Sequence, residues 1–292
     1  MATSRRSASA PDPDHPDAGR WRIWDLHQKL WNADLVDRLD RVPGGARMVR
    51  SVIRMDTVLL AVRAVLRRLR HLGPRALRRR PLHLPPRVLY IDCGLHREGR
   101  ELRTMQDWFG SLTRLDVLGF EASPDHFAVV AATLAGAPSV DLRNVALIGA
   151  DYAEPTVRLY RSGGSGKADS LFAVRGEDFD VVPAVRLSSV LAEYLAVHGP
   201  TPVVLRMNIE GAEEYVVDDL IEAGLVTSIT GYYGMWDDVG KIDPDTDRRF
   251  RRRLRAVGIR THTFNDRDYR DRLRMRVIRY DITTTLAAVR RG

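Results

Sequence analysis

The sequence has a single cysteine, Cys93, and no long apolar run. One cysteine excludes an internal disulfide and a cysteine-based zinc cluster, and it favours a reducing, cytoplasmic location. Residues 1–20 lack the apolar stretch that a signal peptide or a membrane-spanning helix needs. We therefore expect neither an export signal nor an integral membrane segment.

Several motifs of common enzymes are also missing. Gly94 and Gly99 do not complete a G-x-G-x-x-G motif, because Leu-His-Arg-Glu lies between them, and a dinucleotide dehydrogenase is therefore disfavoured. The Gly/Ser-rich segment from Arg161 to Ser170 is not a Walker phosphate loop, since arginine stands at its first glycine position. No G-x-S-x-G nucleophile motif is present.

No metal site is expected. The histidines of the chain show no metal-ligand spacing. Asp243, Asp245 and Asp247 imitate the start of a calcium loop, but Arg248 stands where that loop needs glycine. We expect these acids to cap a helix instead.

The positive charge is concentrated toward the N-terminus. Residues 1–86 carry 18 of the 46 Lys and Arg but only 8 of the 38 acidic residues, so their net charge is +10 and that of the remainder is −2. This distribution disfavours nucleic acid as a partner of the main domain. The eight arginines between Arg63 and Arg80 favour a solvated helix face, with peripheral contact to an anionic membrane surface as the alternative.

Composition divides the chain into three parts. Residues 1–20 are rich in Ser, Pro, Asp and Ala and are expected to be a disordered tail. Residues 21–85 are expected to be a basic helical extension, with an apolar heptad seam across residues 48–69. Packing of this seam within the chain is favoured, and a homodimer is the alternative. A proline-rich linker then leads into the main domain, residues 86–292.

Apolar runs and helical patterns alternate through the main domain. Strands are predicted at residues 88–92, 115–121, 140–146, 202–208, 226–233, 258–264 and 274–282, with a hairpin-like strand at 157–160. Helices are predicted at residues 98–109, 124–135, 187–198, 210–224 and 245–257. The alternation implies an α/β fold whose sheet is mixed and mostly parallel, with helices on both faces.

Polar residues follow the first three strands of this alternation. Asp92 and Gly94 end the first strand, and an acid there either holds a ligand's ammonium or caps a turn. Glu121 follows Gly94 by 27 residues, close to the offset expected for a ribose-binding acid, although a helix-dipole partner is the simpler alternative. Asn144 ends the third strand, where adenine edges are commonly bound.

The strongest local cluster is Arg-Met-Asn-Ile-Glu-Gly-Ala-Glu, residues 206–213. It places Asn208 and Glu210 at the carboxyl end of the fourth main strand, where α/β sheets keep their reacting groups. Glu210 and Glu213 at the start of a helix have the chemistry of a base or a positioning group. For Glu213, a favourable charge at the helix N-terminus is the main alternative.

These stretches together resemble the FkbM family of S-adenosylmethionine-dependent methyltransferases, over about residues 88–282. The resemblance is carried by YIDCG, GFEASPDHF, LRNVAL, GKADSL and above all RMNIEGAE, which is similar to that family's K-I-D-V-E-G-A-E. It implies a class I methyltransferase fold, which is Rossmann-like with a mostly parallel, seven-stranded sheet. It also implies S-adenosylmethionine as cofactor and O-methylation of a hydroxyl on a natural product or glycan-type small molecule.

The resemblance also assigns roles to the cofactor-binding residues. Asp92 and Gly94 would lie beside the methionine part of the cofactor, Glu121 would bind the ribose hydroxyls, and Asn144 would lie near the adenine. The glycine loop is one residue longer than the family's D-x-G-A-N-x-G, with Leu-His in place of Ala-Asn.

For catalysis we expect Glu210 to be the base for the acceptor hydroxyl and Asn208 to position the acceptor. Asn208 stands where the family has aspartate, which argues against a divalent metal there. Two alternatives stay open at this point. One is a non-catalytic S-adenosylmethionine-binding scaffold, and the other is a nicotinamide-dependent oxidoreductase.

Overall fold

The structure, a computed structural model, describes most of the main domain. The described residues are 84–162, 169–173, 177–234, 239, 243–259 and 261–263, with short stretches at 42–45, 47–48, 51, 282–283, 285–287 and 289. The predicted tail, nearly all of the basic extension with its heptad seam, and residues 274–281 of the last predicted strand lie outside them. The chain divides into two units, residues 1–81 with 266–269 and residues 82–265 with 270–292.

Nine strands and five helices are described in the second unit. The strands are β1 (Arg87–Cys93), β2 (Arg114–Phe120), β3 (Val140–Arg143), β4 (Ala146–Ile148), β5 (Thr156–Tyr160), β6 (Phe179–Arg186), β7 (Val203–Met207), β8 (Ile229–Gly234) and β9 (Thr261–Thr263). The helices are α1 (Arg100–Phe109), α2 (Pro124–Thr133), α3 (Leu187–His198), α4 (Glu213–Glu222) and α5 (Pro244–Ala256). The α/β alternation predicted from the sequence is confirmed.

The larger sheet has six described strands in the order β3-β2-β1-β7-β8-β9, and every neighbouring pair is parallel. Numbered along the chain within this sheet, that order is 3-2-1-4-5-6, which is common among doubly wound, Rossmann-like sheets. The strand order reverses between β1 and β7. Ligands of such sheets bind outside the carboxyl ends of the strands at this switch point.

Helices cover both faces of the larger sheet, as predicted. On one face, Val88 and Tyr90 of β1 belong to a core cluster with side chains of α1 and α2. Asp116 of β2 points to the other face, and its carboxylate accepts a hydrogen bond of 2.6 Å from the hydroxyl of Tyr194 in α3. Ser188 of α3 is bonded in turn to Asp219 of α4, so these two helices belong to the same layer.

A smaller sheet corrects two details of the prediction. The strand predicted at 140–146 is broken at Asn144, so β3 lies in the larger sheet while β4 pairs with β6 in a three-stranded sheet of order β4-β6-β5. The segment before α3, for which the sequence predicts no strand, contains β6, which pairs antiparallel with β5. A proline at position 183 and a mixed burial pattern weaken the strand signal of β6.

The structure also bears on the acidic triplet and on membrane insertion. Asp243 caps α5, because its carboxylate accepts hydrogen bonds from the amides of Asp245 and Thr246. Among the described residues, no helix has the length and apolar character needed to cross a membrane.

Candidate functional site

The loop after β1 is held tightly by the loop after β7. Gly94 has φ +85°, and a Cβ atom there would lie 2.0 Å from the carbonyl oxygen of Asn208. The amide of Asn208 also donates to the carbonyl of Cys93 at 2.9 Å. Glycine is therefore required at position 94 by the close approach of the protein's own backbone, and by a left-handed conformation that side chains disfavour.

Asp92 lies in β1 just before this loop, and its carboxylate is bonded to two other side chains of the protein. Its side chain is 1% exposed, and one carboxylate oxygen accepts a hydrogen bond of 2.6 Å from Nη1 of Arg206. The other oxygen accepts one of 3.2 Å from the hydroxyl of Tyr90. Burial raises the pKa of Asp92, and the guanidinium of Arg206 opposes that rise. The structure thus places Asp92 in a buried ion pair beside Gly94.

Glu121, at the end of β2, connects the two neighbouring loops. Its carboxylate accepts hydrogen bonds from the amides of His96, at 2.6 Å, and Ser123, at 2.9 Å. Burial raises the pKa of Glu121, while these two amides and the nearby His126 act in the opposite direction. Each carboxylate oxygen can accept more than one hydrogen bond, so the group retains acceptor capacity for ligand hydroxyls.

Asn144 lies next to Glu121, as the predicted site requires. Its side-chain amide nitrogen donates to the carbonyls of Glu121, at 2.8 Å, and Ala122, at 3.1 Å. Because both partners are carbonyls, the orientation of the amide group is determined. Asn144 therefore joins the end of β3 to the loop that follows β2.

Glu213 holds the loop between β7 and α4. This carboxylate is fully buried and accepts the amides of Ile209 and Gly211, both at 2.9 Å. The helix predicted from residue 210 begins at Glu213 itself. The structure therefore favours the helix-terminus interpretation of Glu213 over a role as base.

Glu210 lies between the two amides that Glu213 binds, in an unusual backbone conformation. Its φ is +55°, in the left-handed region. Its carbonyl accepts a hydrogen bond of 2.8 Å from Oγ of Ser170. The peptide unit that joins Glu210 to Gly211 is thus held at both ends, because its N–H is bonded to Glu213. A non-glycine residue in this region costs about 1–2 kcal/mol, and such strain is a frequent feature of functional sites.

Asn208 carries an uncompensated polar atom. Its Oδ1 is buried, and no hydrogen-bond partner for it exists in the part of the chain that the structure describes. Such an acceptor costs about 1–3 kcal/mol. A ligand N–H or O–H group that donated to it would remove that cost.

Arg206 is the site residue that the sequence interpretation missed. The signal was a lone basic residue within the apolar strand Val-Val-Leu-Arg-Met. A charge buried on such a strand needs a partner, and Asp92 at the end of the neighbouring strand was available. His96, which the sequence indicates to be a polar loop residue, lies in the loop after β1 with φ +52°, and its ring packs edge-on against that of His126 with 4.5 Å between the ring centroids.

Within the described residues, no cluster of His, Cys, Asp and Glu has the arrangement of a metal site. The structure brings the predicted residues Asp92, Gly94, Glu121, Asn144 and the 208–213 segment together at the carboxyl edge of the larger sheet. Comparison of the chain with protein-family models, with curated proteins and with solved structures finds no match.

Proposed function

We propose that this protein is an S-adenosylmethionine-dependent methyltransferase that methylates a hydroxyl of a natural product or glycan-type small molecule, on a seven-stranded class I sheet. One observation carries the proposal. The glycine loop after β1 and the acid after β2 are joined directly, through the amide of His96 and the carboxylate of Glu121, next to the switch point between β1 and β7 of a parallel sheet. Such an arrangement suits a nucleoside whose ribose hydroxyls bind the acid.

The start of α1 favours a cofactor without phosphates. Dinucleotide-binding sheets hold the pyrophosphate at this helix N-terminus. Here Glu101 occupies the first turn, no side chain caps the helix, and the glycine pattern of that motif is absent. The carboxylate of Glu101 lies 3.8 Å from Nη2 of Arg206, which offsets its charge, so it is the absent glycine pattern that disfavours a pyrophosphate at this helix start. This contrast favours a methyltransferase over a nicotinamide-dependent oxidoreductase.

The residues at the sheet edge fit the proposed cofactor. Glu121 would accept the ribose hydroxyls, and Asn144 would shape the adenine side, because its own amide is bonded to the backbone. The unpartnered Oδ1 of Asn208 would accept a donor from the cofactor's ammonium or from the acceptor hydroxyl. Asp92 would act indirectly, through the loop that contains Gly94.

S-adenosylmethionine would supply an electrophilic methyl group, and the protein would hold the acceptor oxygen in line with it. Orientation of two reactants is worth up to about 7–11 kcal/mol. We assign Glu210 as the base that receives the hydroxyl proton, a role that typically adds about 10²–10⁴-fold to the rate. Its strained and doubly anchored backbone supports this assignment.

Calorimetry tests the cofactor first, with S-adenosylhomocysteine and NAD as alternative ligands. We expect S-adenosylhomocysteine to bind the wild type and to bind Glu121→Gln more weakly. Glu98→Gln, in the same loop and exposed to solvent, is the matched control and should bind like the wild type. Binding of NAD alone would overturn the proposal.

Turnover is tested by methyl transfer from labelled S-adenosylmethionine to a panel of sugars, phenols and other hydroxyl compounds. Glu210→Gln should bind the cofactor normally and lose most of the turnover. Undiminished turnover in this variant would remove Glu210 as the base.

A further inference from the structure

Arg206 connects three elements beneath the glycine loop. Its Nη1 donates to Asp92 at 2.6 Å and to the carbonyl oxygen of Gly94 at 3.0 Å, and its Nη2 lies 3.8 Å from the carboxylate of Glu101. Thus a side chain from β7 reaches the end of β1, the loop itself and the first turn of α1. The side chain of Arg206 is 15% exposed, so these contacts are shielded from water.

The chemistry of the cluster favours a permanent cation at this position. Burial lowers the pKa of the Arg206 guanidinium, but the two carboxylates around it, those of Asp92 and Glu101, together with Tyr90 outweigh that effect and raise the pKa overall. The planar guanidinium offers several donors in a fixed arrangement, and a single Nη1 here serves both a carboxylate and a carbonyl. Since this carbonyl belongs to Gly94, the guanidinium holds the backbone at the start of the loop in place.

The loop has little freedom to adopt another path. Gly94 is pressed against the carbonyl of Asn208, and the amides of Gly94 and Leu95 both donate to the carbonyl of Phe120, at 2.9 and 3.3 Å. The next amide along the chain, that of His96, donates to the carboxylate of Glu121. The amides of the loop therefore anchor it to the end of β2, and the carbonyl of Gly94 anchors it to Arg206 on β7.

We propose that Arg206 is a positioning residue for the cofactor loop, which holds the carbonyl of Gly94 and the carboxylate of Asp92 so that the loop is preorganised for S-adenosylmethionine. The inference rests on the proposed function for the identity of the ligand, whereas the control of loop geometry rests on the contacts alone. Preorganisation of a binding loop raises affinity because the ordering cost is removed before the ligand arrives.

The test compares three variants with a matched control. Arg206→Met removes the guanidinium and keeps an unbranched apolar side chain, while Arg206→Lys retains a cation. Because Arg206→Met leaves Asp92 buried without its cation, the double variant Asp92→Asn/Arg206→Met removes both charges and protects against misfolding. The control is Arg251→Met, which breaks a buried pair with Asp247 on α5, where the N···O distance is 2.8 Å and the side chains are 6% and 7% exposed.

Two measurements are made on each variant of the full chain. Calorimetry gives the affinity for S-adenosylhomocysteine, and hydrogen exchange gives the protection of the amides of Gly94, Leu95 and His96 without any ligand. We expect Arg206→Met and the double variant to bind about tenfold more weakly or worse, with faster exchange of the three amides. Arg206→Lys keeps the cation but loses the fixed arrangement of donors, so its affinity should fall between those of the wild type and Arg206→Met. Arg251→Met should lower thermal stability with no change in either measurement.

The outcomes separate this inference from the proposed function. If the wild type does not bind S-adenosylhomocysteine, the cofactor assignment is overturned and the exchange measurement alone decides the role of Arg206 in the loop. If the wild type binds, and both Arg206→Met and the double variant bind equally well with unchanged exchange, Arg206 is not a positioning residue. A loss of affinity in Arg251→Met of the same size would assign the effect to general stability and overturn the inference.

Discussion

Replacing Glu210 with glycine should change the stability of the protein and its proposed methyl-transfer activity in opposite directions. The residue has φ +55°, and the left-handed region costs an ordinary L-residue about 1–2 kcal/mol. Glycine avoids this cost, but its greater freedom in the unfolded chain offsets about 0.5–1 kcal/mol of the gain. We therefore expect Glu210→Gly to raise the free energy of unfolding by about 0.5–1 kcal/mol, while methyl transfer is lost with the carboxylate.

Urea unfolding of Glu210→Gly, Glu210→Gln and Ser139→Gly measures this balance. Ser139 has φ +57° and is exposed at the start of β3, so its glycine variant should show a similar gain without functional loss. Glu210→Gln retains the strain and should match the wild type in stability. A Glu210→Gly variant that is less stable than the wild type, alongside a stabilised Ser139→Gly, would refute the argument that the loop holds Glu210 under strain.

Three further predictions concern buried carboxyl groups at the same edge. Since burial raises the pKa of Glu121, affinity for S-adenosylhomocysteine should weaken as pH falls through that raised value, starting above the ordinary 4.5, and titration calorimetry on Glu121→Gln should show no such dependence. Asn208→Asp would bury a new carboxyl near Glu213, and the pKa of this new carboxyl would be raised in the folded protein. Ionisation would then destabilise the folded state, so denaturation experiments should show no loss of stability below about pH 4 and a growing loss toward pH 7. Glu213→Gln provides one acceptor oxygen for two amides and should lose about 1–3 kcal/mol of stability together with turnover. The control is Asp219→Asn, which alters a buried carboxylate on the same helix away from the site and should retain turnover. An equal loss of turnover in Glu213→Gln and Asp219→Asn would contradict the role of Glu213 in holding the loop.

Local pattern was sufficient for much of the fold. In β1, six of seven residues are buried, and the continuous apolar run that results is the signature of a strand covered on both faces. The boundaries of α3, Leu187–His198, match the prediction, because its apolar run ends at Gly199. The sequence was insufficient at Asn144, where one predicted strand splits between two sheets, since apolar character reports burial but not which sheet a strand joins.

In the candidate site as well, some features follow from local sequence and others only from tertiary structure. The sequence by itself determined that Asp92, Glu121, Asn144 and Glu210 lie at or just after the ends of strands, because strand ends and turn residues are local signals. Only the tertiary structure decided what each group binds. Asp92 pairs with a cation 114 residues away, and that contact exists because β1 and β7 become neighbours in the sheet. Strand order arises from packing of the whole domain, so the partners of a buried charge are determined there and not by the residues around it.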